Sequence, residues 1–261
     1  MLMAAMTSLK DLALAAVLAG AAAVEEVVRG GPLDVRSKGA RHDLVTEADR
    51  RSEKAIIDTI RAERPDDAIL GEEFGRQEGT SGLLWLVDPV DGTTNFVHGR
   101  ADYAVSVGVE RAGEYVAGAI YRPVFDDWIA VEGEEVAAGN CSPGLSGQDD
   151  LAQALISFGF PHRPQIRPRV LALLCDLMPR IRDFRRIGSA ACDLFSVATG
   201  GLDATVGFAQ QPWDVAGGWA IVRALGGVYR RFETAGGIEV CVAGNPAVVE
   251  ALEEYLRASR H

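Results

Sequence analysis

The spacing of apolar residues predicts two helices at the start of the chain. An apolar helical period runs over residues 8–28 and is followed by a Gly-Gly-Pro sequence, which ends a helix. A second helix is predicted over residues 47–63 with Thr46 as its N-cap, because a threonine hydroxyl accepts a hydrogen bond from the first turn. Asp49 lies in that turn, and a capping role would by itself account for it.

Five consecutive apolar residues, Leu83 to Val87, predict a buried strand. The strand leads into Asp88-Pro89, where we expect the hydrogen-bonded ladder to end because proline has no N–H group. Asp91 and a Gly-Thr-Thr sequence follow directly. An α/β protein binds ligands at the C-terminal edge of its strands, so this edge is a candidate site. An Asp-Pro turn without any ligand would also explain the same residues.

A shorter strand is predicted over residues 68–73, and it ends in two glutamates. Side by side in one sheet, the ends of the two strands would bring Glu72 next to Asp88 and Asp91. The alternative is that the adjacent glutamates only form a solvated turn. The glycine-rich linker over residues 73–83 is expected to be mobile.

The rest of the chain predicts a mixed α/β protein. Alternating residues over 103–110, 115–122 and 128–132 predict an antiparallel meander in the same sheet, and a loop follows over 133–150. Beyond residue 151, strands and helices alternate. The predicted elements are a strand at 155–160, a helix at 167–180, a strand turning into a helix at 184–191, a strand at 203–208, a helix at 212–225, strands at 226–229 and 240–243, and a helix at 246–258.

Composition narrows the possible partners. Of the 261 residues, 48% are hydrophobic and 24% are charged, as in an ordinary globular protein. The net charge of −11 argues against nucleic acid and anionic membranes as partners. The same charge disfavours anionic ligands at long range, so an anion site would need cations of its own nearby.

The cysteines and the N-terminus indicate a compartment. Four scattered cysteines without a C-x-x-C pair indicate reduced thiols rather than a zinc site or a disulfide framework. The apolar run at residues 12–24 is too short to span a bilayer, and two glutamates continue it in helical register. A cytoplasmic amphipathic helix is therefore favoured over a signal peptide, and we expect a cytoplasmic protein.

The acids of the predicted site suggest a divalent ion. Carboxylates held close together repel one another unless a cation lies between them, and oxygen ligands suit Mg²⁺. Free N–H groups in the turn at Gly92–Thr94 suit an anion such as phosphate. The helix start at Gly188–Ala190 could hold an anion or a hydroxyl, or could simply pack closely. Asp214 is in a position to be the N-cap of its helix, which would account for it without a ligand.

Four separated motifs resemble those of the inositol monophosphatase family, in that family's order. They are Lys38 to Asp49, Gly71-Glu72-Glu73, Asp88 to Thr94, and Gly188-Ser189-Ala190 followed by Pro212-Trp213-Asp214. The resemblance implies an α/β fold, the αβαβα sandwich of the inositol monophosphatase and fructose-1,6-bisphosphatase type, assembled as a homodimer. It also implies one domain over residues 1–261, with a metal-binding half at 1–150 and an α/β half at 151–261.

The resemblance further implies a set of metal ligands. Glu72, Asp88 and the carbonyl of Val90 would hold one Mg²⁺, and Asp88, Asp91 and Asp214 a second, with Asp88 bridging the two. The implied reaction is hydrolysis of a phosphomonoester by metal-activated water, without a phosphoenzyme. Such ions make hydroxide available near neutral pH and stabilise the leaving alkoxide.

The remaining site residues are implied in the same way. Asp49, with Glu72 and Thr93, would place or deprotonate the attacking water, with the help of a third and weaker metal ion. The substrate would be a small-molecule phosphate ester, inositol 1-phosphate or a similar polyol or sugar phosphate. The residues implied to contact it are Gly92, Thr93, Thr94, Gly188, Ser189, Ala190 and Asp214.

One substitution separates this chain from inositol-specific members of the family. Those members carry a ring-binding glutamate at the position that is Gly207 here. A site without such a partner loses discrimination, so histidinol phosphate, fructose 1,6-bisphosphate and nucleotides stay open as substrates. The lost glutamate and a remodelled edge at residues 133–150 also leave open a catalytically silent binding or regulatory subunit. An unrelated α/β protein, with its acids in caps and turns, is the third alternative.

Overall fold

The structure, a computed structural model, describes residues 7–31, 35–37, 44–161 and 163–260. Residues 38–43, the first half of the motif from Lys38 to Asp49, lie outside these described residues. Across the described ranges, no helix combines the length and the apolar character needed to cross a bilayer.

Two helices and a short sheet come first. They are α1 (Leu9–Arg29) and α2 (Glu47–Glu63), and α2 begins after the N-cap Thr46. Both helices and the capping role of Thr46 confirm the sequence prediction. Strands β1 (Val35–Ser37) and β2 (Leu44–Thr46) pair antiparallel between the two helices.

A seven-stranded sheet follows. Its strands are β3 (Ala68–Gly71), β4 (Gly75–Gln77), β5 (Leu83–Asp91), β6 (Ala104–Arg111), β7 (Glu114–Arg122), β8 (Asp127–Glu132) and β9 (Glu135–Gly139), and the short helix α3 (Thr93–Val97) follows β5. They lie in the order β4-β3-β5-β6-β7-β8-β9, with β3 and β5 parallel and the meander from β6 to β8 antiparallel as predicted. Because β3 and β5 are parallel, the residues that follow them lie at the same edge of the sheet.

A five-stranded sheet carries the C-terminal part of the chain. Its elements are β10 (Leu155–Phe158), α4 (Arg167–Leu177), β11 (Asp183–Arg185), α5 (Ala190–Ala198), β12 (Ala204–Phe208), α6 (Pro212–Ala224), β13 (Val228–Glu233), β14 (Glu239–Gly244) and α7 (Pro246–Ala258). The strand order is β11-β10-β12-β14-β13, with β10 parallel to both of its neighbours. The C-terminal ends of β10, β11 and β12 therefore share one edge.

Helices and sheets stack in five layers. Helices α1 and α2 cover one face of the seven-stranded sheet, where Leu12, Ile56 and Trp85 are buried together. Helices α5 and α6 lie between the two sheets, and α4 and α7 cover the outer face of the five-stranded sheet. Burial of these apolar faces holds the layers together. The arrangement is the αβαβα sandwich that the resemblance implies.

Strand β5 does not end at Asp88-Pro89, so that prediction is wrong. Asp88 pairs with Ser106 of β6, and pairing resumes between Asp91 and Ala104 after a bulge. Pro89 lies within the bulge, where the ladder needs no N–H donor. The bulge keeps both aspartates on the strand while changing the direction in which the second one is presented.

Two segments predicted without regular structure form edge strands. The linker over residues 73–83 contains β4, which pairs antiparallel with β3, and the loop over residues 133–150 contains β9, which pairs with β8. Strand β4 is short and polar, and β9 has three apolar residues in a row, so neither shows the apolar alternation of a half-buried strand. Gly139 also packs closely under Trp128, because a Cβ there would lie 2.2 Å from Trp128 Nε1.

Candidate active site

The C-terminal edges of the two sheets meet at one pocket of about 550 Å³. Residues that follow β3, β10, β11 and β12 line it, together with the end of β5. This is the edge where α/β proteins bind ligands. The lining includes most of the residues that the sequence singled out: Glu72, Asp88, Val90, Asp91, Gly92, Thr93, Thr94, Gly188, Ser189, Ala190 and Asp214.

Asp88 is a buried carboxylate that lacks donors on one side. Its side chain is only 2% exposed, and its Oδ1 has no hydrogen-bond partner among the described residues. Burial raises the pKa of Asp88 well above the ordinary value, and the charges of Glu72, Asp91 and Asp214 raise it further. A buried ionised carboxylate without donors is costly, so this position requires a proton or a cation.

Asp91 lies at the N-terminus of helix α5. Its Oδ2 accepts hydrogen bonds from the Ser189 hydroxyl at 2.7 Å and from the N–H group of Ala191. Burial raises the pKa of Asp91 to about 6, although those hydrogen bonds and the charge of Arg186 lower it. The helix start that the sequence predicts as an anion or hydroxyl site therefore already holds a carboxylate of the protein itself.

Asp214 lies in the first turn of helix α6. The prediction that it is the N-cap is wrong, because Gln211 occupies that position and Asp214 is the third residue of the helix. From there its Oδ2 accepts the N–H group of Gln211 at 2.8 Å. Burial raises the pKa of Asp214 to about 8, and the charges of Asp91 and Glu72 add to this rise. The carboxylate thus lies within electrostatic reach of the acids on the seven-stranded sheet.

Asp49 reaches the pocket through Thr93. It is fully buried, and its Oδ2 accepts from the N–H group and the hydroxyl of Thr46 at 2.8 and 2.6 Å. Thr93 Oγ1 lies 3.1 Å from both Asp49 Oδ1 and the carbonyl oxygen of Val90, so its one proton can serve either acceptor. The capping role predicted for Asp49 is confirmed, and the same carboxylate also touches the pocket wall.

The turn between β5 and α3 requires a glycine. Gly92 has a φ of 95°, and a Cβ there would lie 3.0 Å from the carbonyl oxygen of Asp102 and 3.1 Å from Ser189 Cβ. Helix α3 begins at the next residue, so the N–H groups of Thr93 and Thr94 have no acceptor within the helix. Donors of this kind suit an anion.

Glu72 is held by the turn between β3 and β4. The buried carboxylate of Glu53, on α2, accepts the N–H groups of Glu73 and Phe74 at 2.7 and 2.9 Å. These two bonds fix the backbone directly after Glu72. Helix α2 therefore contributes to the site twice, once through Asp49 and once by anchoring the strand end that carries Glu72.

Several lining residues have no role in the sequence prediction. Three of them are arginines, Arg100, Arg167 and Arg186, and they supply the local cations that an anion site requires in a protein of net charge −11. Only Arg186 adjoins a recognised motif, so only for it did the sequence carry a signal. The other residues of this kind are Asn95, Gly159, Phe160, Ile187, Asp193, Phe208, Ala209 and Gln210.

The side chain of Gln210 folds over Gly207. A Cβ at residue 207 would lie 1.9 Å from Gln210 Oε1, so the glutamine amide takes the space beside the glycine. Inositol-specific members of the family carry a glutamate at this position. The pocket therefore has a neutral amide where those members have a charge.

Comparisons of sequence agree with the four motifs. A model of the inositol monophosphatase family matches residues 5–260. The Nus factor SuhB of Pasteurella multocida (strain Pm70) is 38% identical over 190 residues, which cover 72% of this chain and 71% of that protein. The inositol-1-monophosphatase of Bacillus subtilis (strain 168) is 33% identical over 236 residues, which cover 87% of this chain and 89% of that protein.

A comparison of folds gives the same result. The crystal structure of extragenic suppressor protein SuhB from Bartonella henselae superposes with a TM-score of 0.83 at 34% identity, covering 94% of this chain and 96% of that chain. Sequence and fold thus agree along nearly the whole chain, and the resemblance inferred from the motifs is confirmed. The chain therefore belongs to the inositol monophosphatase family of phosphomonoesterase hydrolases.

Proposed function

We propose that this protein is a Mg²⁺-dependent phosphomonoesterase acting on a small phosphorylated alcohol, inositol 1-phosphate or a similar polyol or sugar phosphate. One observation carries the proposal. Asp88, a buried carboxylate with an unpartnered oxygen in the described chain, lies among Glu72, Asp91 and Asp214 beside a turn rich in N–H donors. Several acids buried together are tolerated when cations neutralise them.

The residues of the pocket fit a divalent metal in their chemistry. Carboxylates and a backbone carbonyl are the hard oxygen ligands that Mg²⁺ prefers. We assign Glu72, Asp88 and the Val90 carbonyl to one ion, and Asp88, Asp91 and Asp214 to a second. A third and weaker ion would lie near Asp49, Glu72 and Thr93.

The pocket residues match Mg²⁺ in the type and charge of their oxygen ligands. Within the described ranges, no three acidic, histidine or cysteine side chains form a ready-made ion cage. Asp91 and Asp214 each give one oxygen to N–H groups at a helix start, and each keeps a second oxygen for an ion. Binding would therefore need small movements of side chains that are already close together.

The chain's own residues would divide the work of hydrolysis. Bound Mg²⁺ would supply Lewis acidity that lowers the pKa of water and withdraws charge from the phosphoryl group. Asp49 and Thr93, which are in hydrogen-bond contact, would take up the proton of the attacking water, with Glu72 beside them. The N–H groups of Gly92, Thr93 and Thr94 would hold the phosphate oxygens for direct attack, without a phosphoenzyme.

The alcohol part would contact Gly188 and Ala190, while Ser189 orients Asp91. Without a glutamate at residue 207, the site would have less preference for inositol over other polyol and sugar phosphates. Four free cysteines support a reducing, cytoplasmic location. We further propose that the protein is a homodimer and that it binds neither nucleic acid nor membranes.

The test is phosphate release with Mg²⁺ from inositol phosphates, histidinol phosphate, sugar bisphosphates and nucleotides. The wild-type protein should release phosphate from one or more of these esters, and chelation should stop the release. Asp214→Asn should lower kcat by about 10³-fold, since removing a ligand to the ions costs several kcal/mol of transition-state stabilisation. The matched control is Asp58→Asn, because Asp58 is an exposed acid of α2 that pairs with Lys54 and does not line the pocket.

A second candidate function comes from the names of relatives. The Pasteurella multocida protein is called a Nus factor and the Bartonella henselae protein an extragenic suppressor, and neither name describes an enzyme. This favours a binding or regulatory subunit as the alternative. Calorimetric Mg²⁺ binding without turnover of any ester in the panel would support that alternative against phosphatase activity.

A further inference from the structure

Acids and arginines both line the pocket. The edge of the seven-stranded sheet contributes Glu72, Asp88 and Asp91. Around the edge of the five-stranded sheet, Arg186 follows β11 and Arg167 begins α4. In a protein of net charge −11, this pair of arginines is not a consequence of a general excess of positive charge.

Arg186 presents donors without acceptors. Within the described part of the chain it forms no hydrogen bond or ion pair, and its guanidinium carbon lies 5.8 Å from the centre of the Phe160 ring. The Arg186 side chain is exposed. Partial loss of its hydration lowers its pKa, and the charge of Arg167 lowers it further. The two guanidinium groups are therefore in electrostatic reach of each other. An arginine in a pocket with its donors unused is suited to bind a phosphate or a carboxylate.

Arg167 is held in place through one nitrogen only. Its Nε donates to the carbonyl oxygen of Pro161 at 3.0 Å, and its two Nη groups have no acceptor among the residues described. Arg100 differs, because its Nη2 is already paired with Asp102 at 2.7 Å. Among the described residues that line the pocket, Arg167 and Arg186 are thus the cations without an acidic hydrogen-bond partner.

Two pocket acids act on the charge of Arg186, Asp193 from α5 and Asp91 from β5. Asp193 is buried at 2% exposure, its Oδ1 has no hydrogen-bond partner among the described residues, and burial raises its pKa to about 8. Gln210 adds an uncharged amide over Gly207, where a glutamate would repel a second anion. This part of the chain therefore adds two arginines and a neutral amide to the pocket, beside the acids Asp193 and Asp214.

We propose that Arg167 and Arg186, beside Phe160, form a subsite for a second anionic group, a phosphate or a carboxylate, on the same phosphate ester. The inference rests on the proposed hydrolysis of a phosphate ester in this pocket. It narrows the substrate to a polyol or sugar that carries two anionic groups, one held by the metal site and the turn at Gly92–Thr94, and the other by the arginines.

The test compares three esters built on one hexose-derived chain. Glucitol 6-phosphate has a single anionic group, glucitol 1,6-bisphosphate adds a phosphate, and 6-phosphogluconate adds a carboxylate. We expect kcat/KM for one or both doubly anionic esters to exceed that for glucitol 6-phosphate by about tenfold or more, from charge-assisted hydrogen bonds. The ester that shows the preference identifies the second group as a phosphate or a carboxylate.

Substitution of the arginines should remove this preference. The relevant quantity is kcat/KM for a doubly anionic ester divided by kcat/KM for glucitol 6-phosphate. In Arg186→Gln and Arg167→Gln this ratio should fall towards one. Any effect on the chemistry shared by both esters cancels in the ratio. Arg185→Gln is the matched control, because Arg185 is exposed like Arg186 but pairs with Asp183 at 2.9 Å and does not line the pocket. Equal kcat/KM for all three esters in the wild type, or a preference that survives both substitutions, would overturn the subsite.

Failure of the proposed function would give a different result. If the wild type hydrolyses no ester, the phosphatase proposal fails, and the subsite is then tested by calorimetric binding of glucitol 1,6-bisphosphate in Mg²⁺ buffer. An affinity that drops about tenfold in Arg186→Gln but not in Arg185→Gln would support the subsite. Equal affinities, or no binding to the wild type, would refute it, and hydrolysis without a preference would refute the subsite alone.

Discussion

Two buried aspartates lie at opposite ends of the parallel pair β3 and β5. Asp67, directly before β3, accepts hydrogen bonds from Arg64 Nε at 2.9 Å and from Trp85 Nε1 at 2.8 Å. Its pKa is lowered, because bonds from Ser81, Trp85 and Arg64 outweigh the effect of burial. Asp88, at the other end, is buried to the same 2% exposure, yet its pKa is raised well above the ordinary value.

The difference between these aspartates separates a structural role from a functional one. At Asp67 the fold supplies donors for the buried charge, so nothing else is needed there. At Asp88 the surrounding side chains are acids, and one oxygen has no partner within the described chain. Native proteins leave few buried polar atoms unsatisfied, and such atoms concentrate where a ligand completes them. The end at Asp88 is therefore the end at which we propose that the ions bind.

The largest expected effect is on catalysis, in Asp88→Asn. Removal of a carboxylate shared by both proposed ions should lower kcat by about 10³-fold or more. The unfolding temperature should stay the same or rise, because one charge leaves a crowded group of acids. Steady-state kinetics with Mg²⁺ and thermal unfolding with a chelator measure the two effects. Turnover near that of the wild type in Asp88→Asn would contradict a catalytic role for Asp88.

The next effect is on stability, in Asp67→Ala. Loss of this carboxylate would leave the buried Trp85 N–H group without its acceptor and the half-buried Arg64 without its partner, at a cost of about 3 kcal/mol in the free energy of unfolding. Turnover should be unchanged, since Asp67 does not line the pocket. Denaturant unfolding and kinetics on the same protein check both statements. A variant as stable as the wild type would show that Asp67 is not a structural counterpart of Asp88.

The sequence predicts the acids near the C-terminal end of β5 better than it predicts Asp67 at the other end. The acids at the binding end follow apolar runs directly, so strand pattern and motif spacing indicated that Glu72, Asp88 and Asp91 meet. The bulge at Pro89 was not predictable from the propensity of proline, because the partner strand decides where the ladder resumes. Asp67 gave no signal, since its donors Arg64 and Trp85 are placed by the packing of α2 against the sheet.

Of the second sheet's surroundings, the sequence predicted Gly188–Ala190 and Asp214 as site residues, but not Arg167 and Gln210. Arg167 and Gln210 become pocket residues only because β10 and β12 end at the edge that faces the first sheet. Strand order in this sheet, with β11 next to β10 and β14 between β12 and β13, is set by long-range packing that local patterns do not encode. The sequence therefore did not determine the strand order of this sheet or which of its flanking residues reach the pocket.

A smaller effect is the response of stability to Mg²⁺. An ion that binds the folded chain alone should raise the free energy of unfolding by about 2.7 kcal/mol at a hundred times its Kd. The rise should be lost in Asp88→Asn and kept in Asp67→Ala, because only the first removes a proposed ligand. Thermal unfolding over a Mg²⁺ titration measures it. An equal rise in both variants would mean that the ions bind elsewhere.

The smallest effect is the pH dependence of stability in a chelator. The raised pKa values of Asp91 and Asp214, about 6 and about 8, mean that the folded state holds protons more tightly than the unfolded state. Stability should therefore fall as pH rises from about 4.5 towards 8, by up to about 1.4 kcal/mol per pH unit for each group still protonated in the folded state. Asp67 acts with the opposite sign, since its lowered pKa gives stability that is lost only in stronger acid.

Saturating Mg²⁺ should reverse the slope of stability against pH between pH 6 and 8, because the ions bind the ionised acids. Thermal unfolding across this range decides the point, and a slope that Mg²⁺ leaves unchanged would contradict a metal site at Asp91 and Asp214.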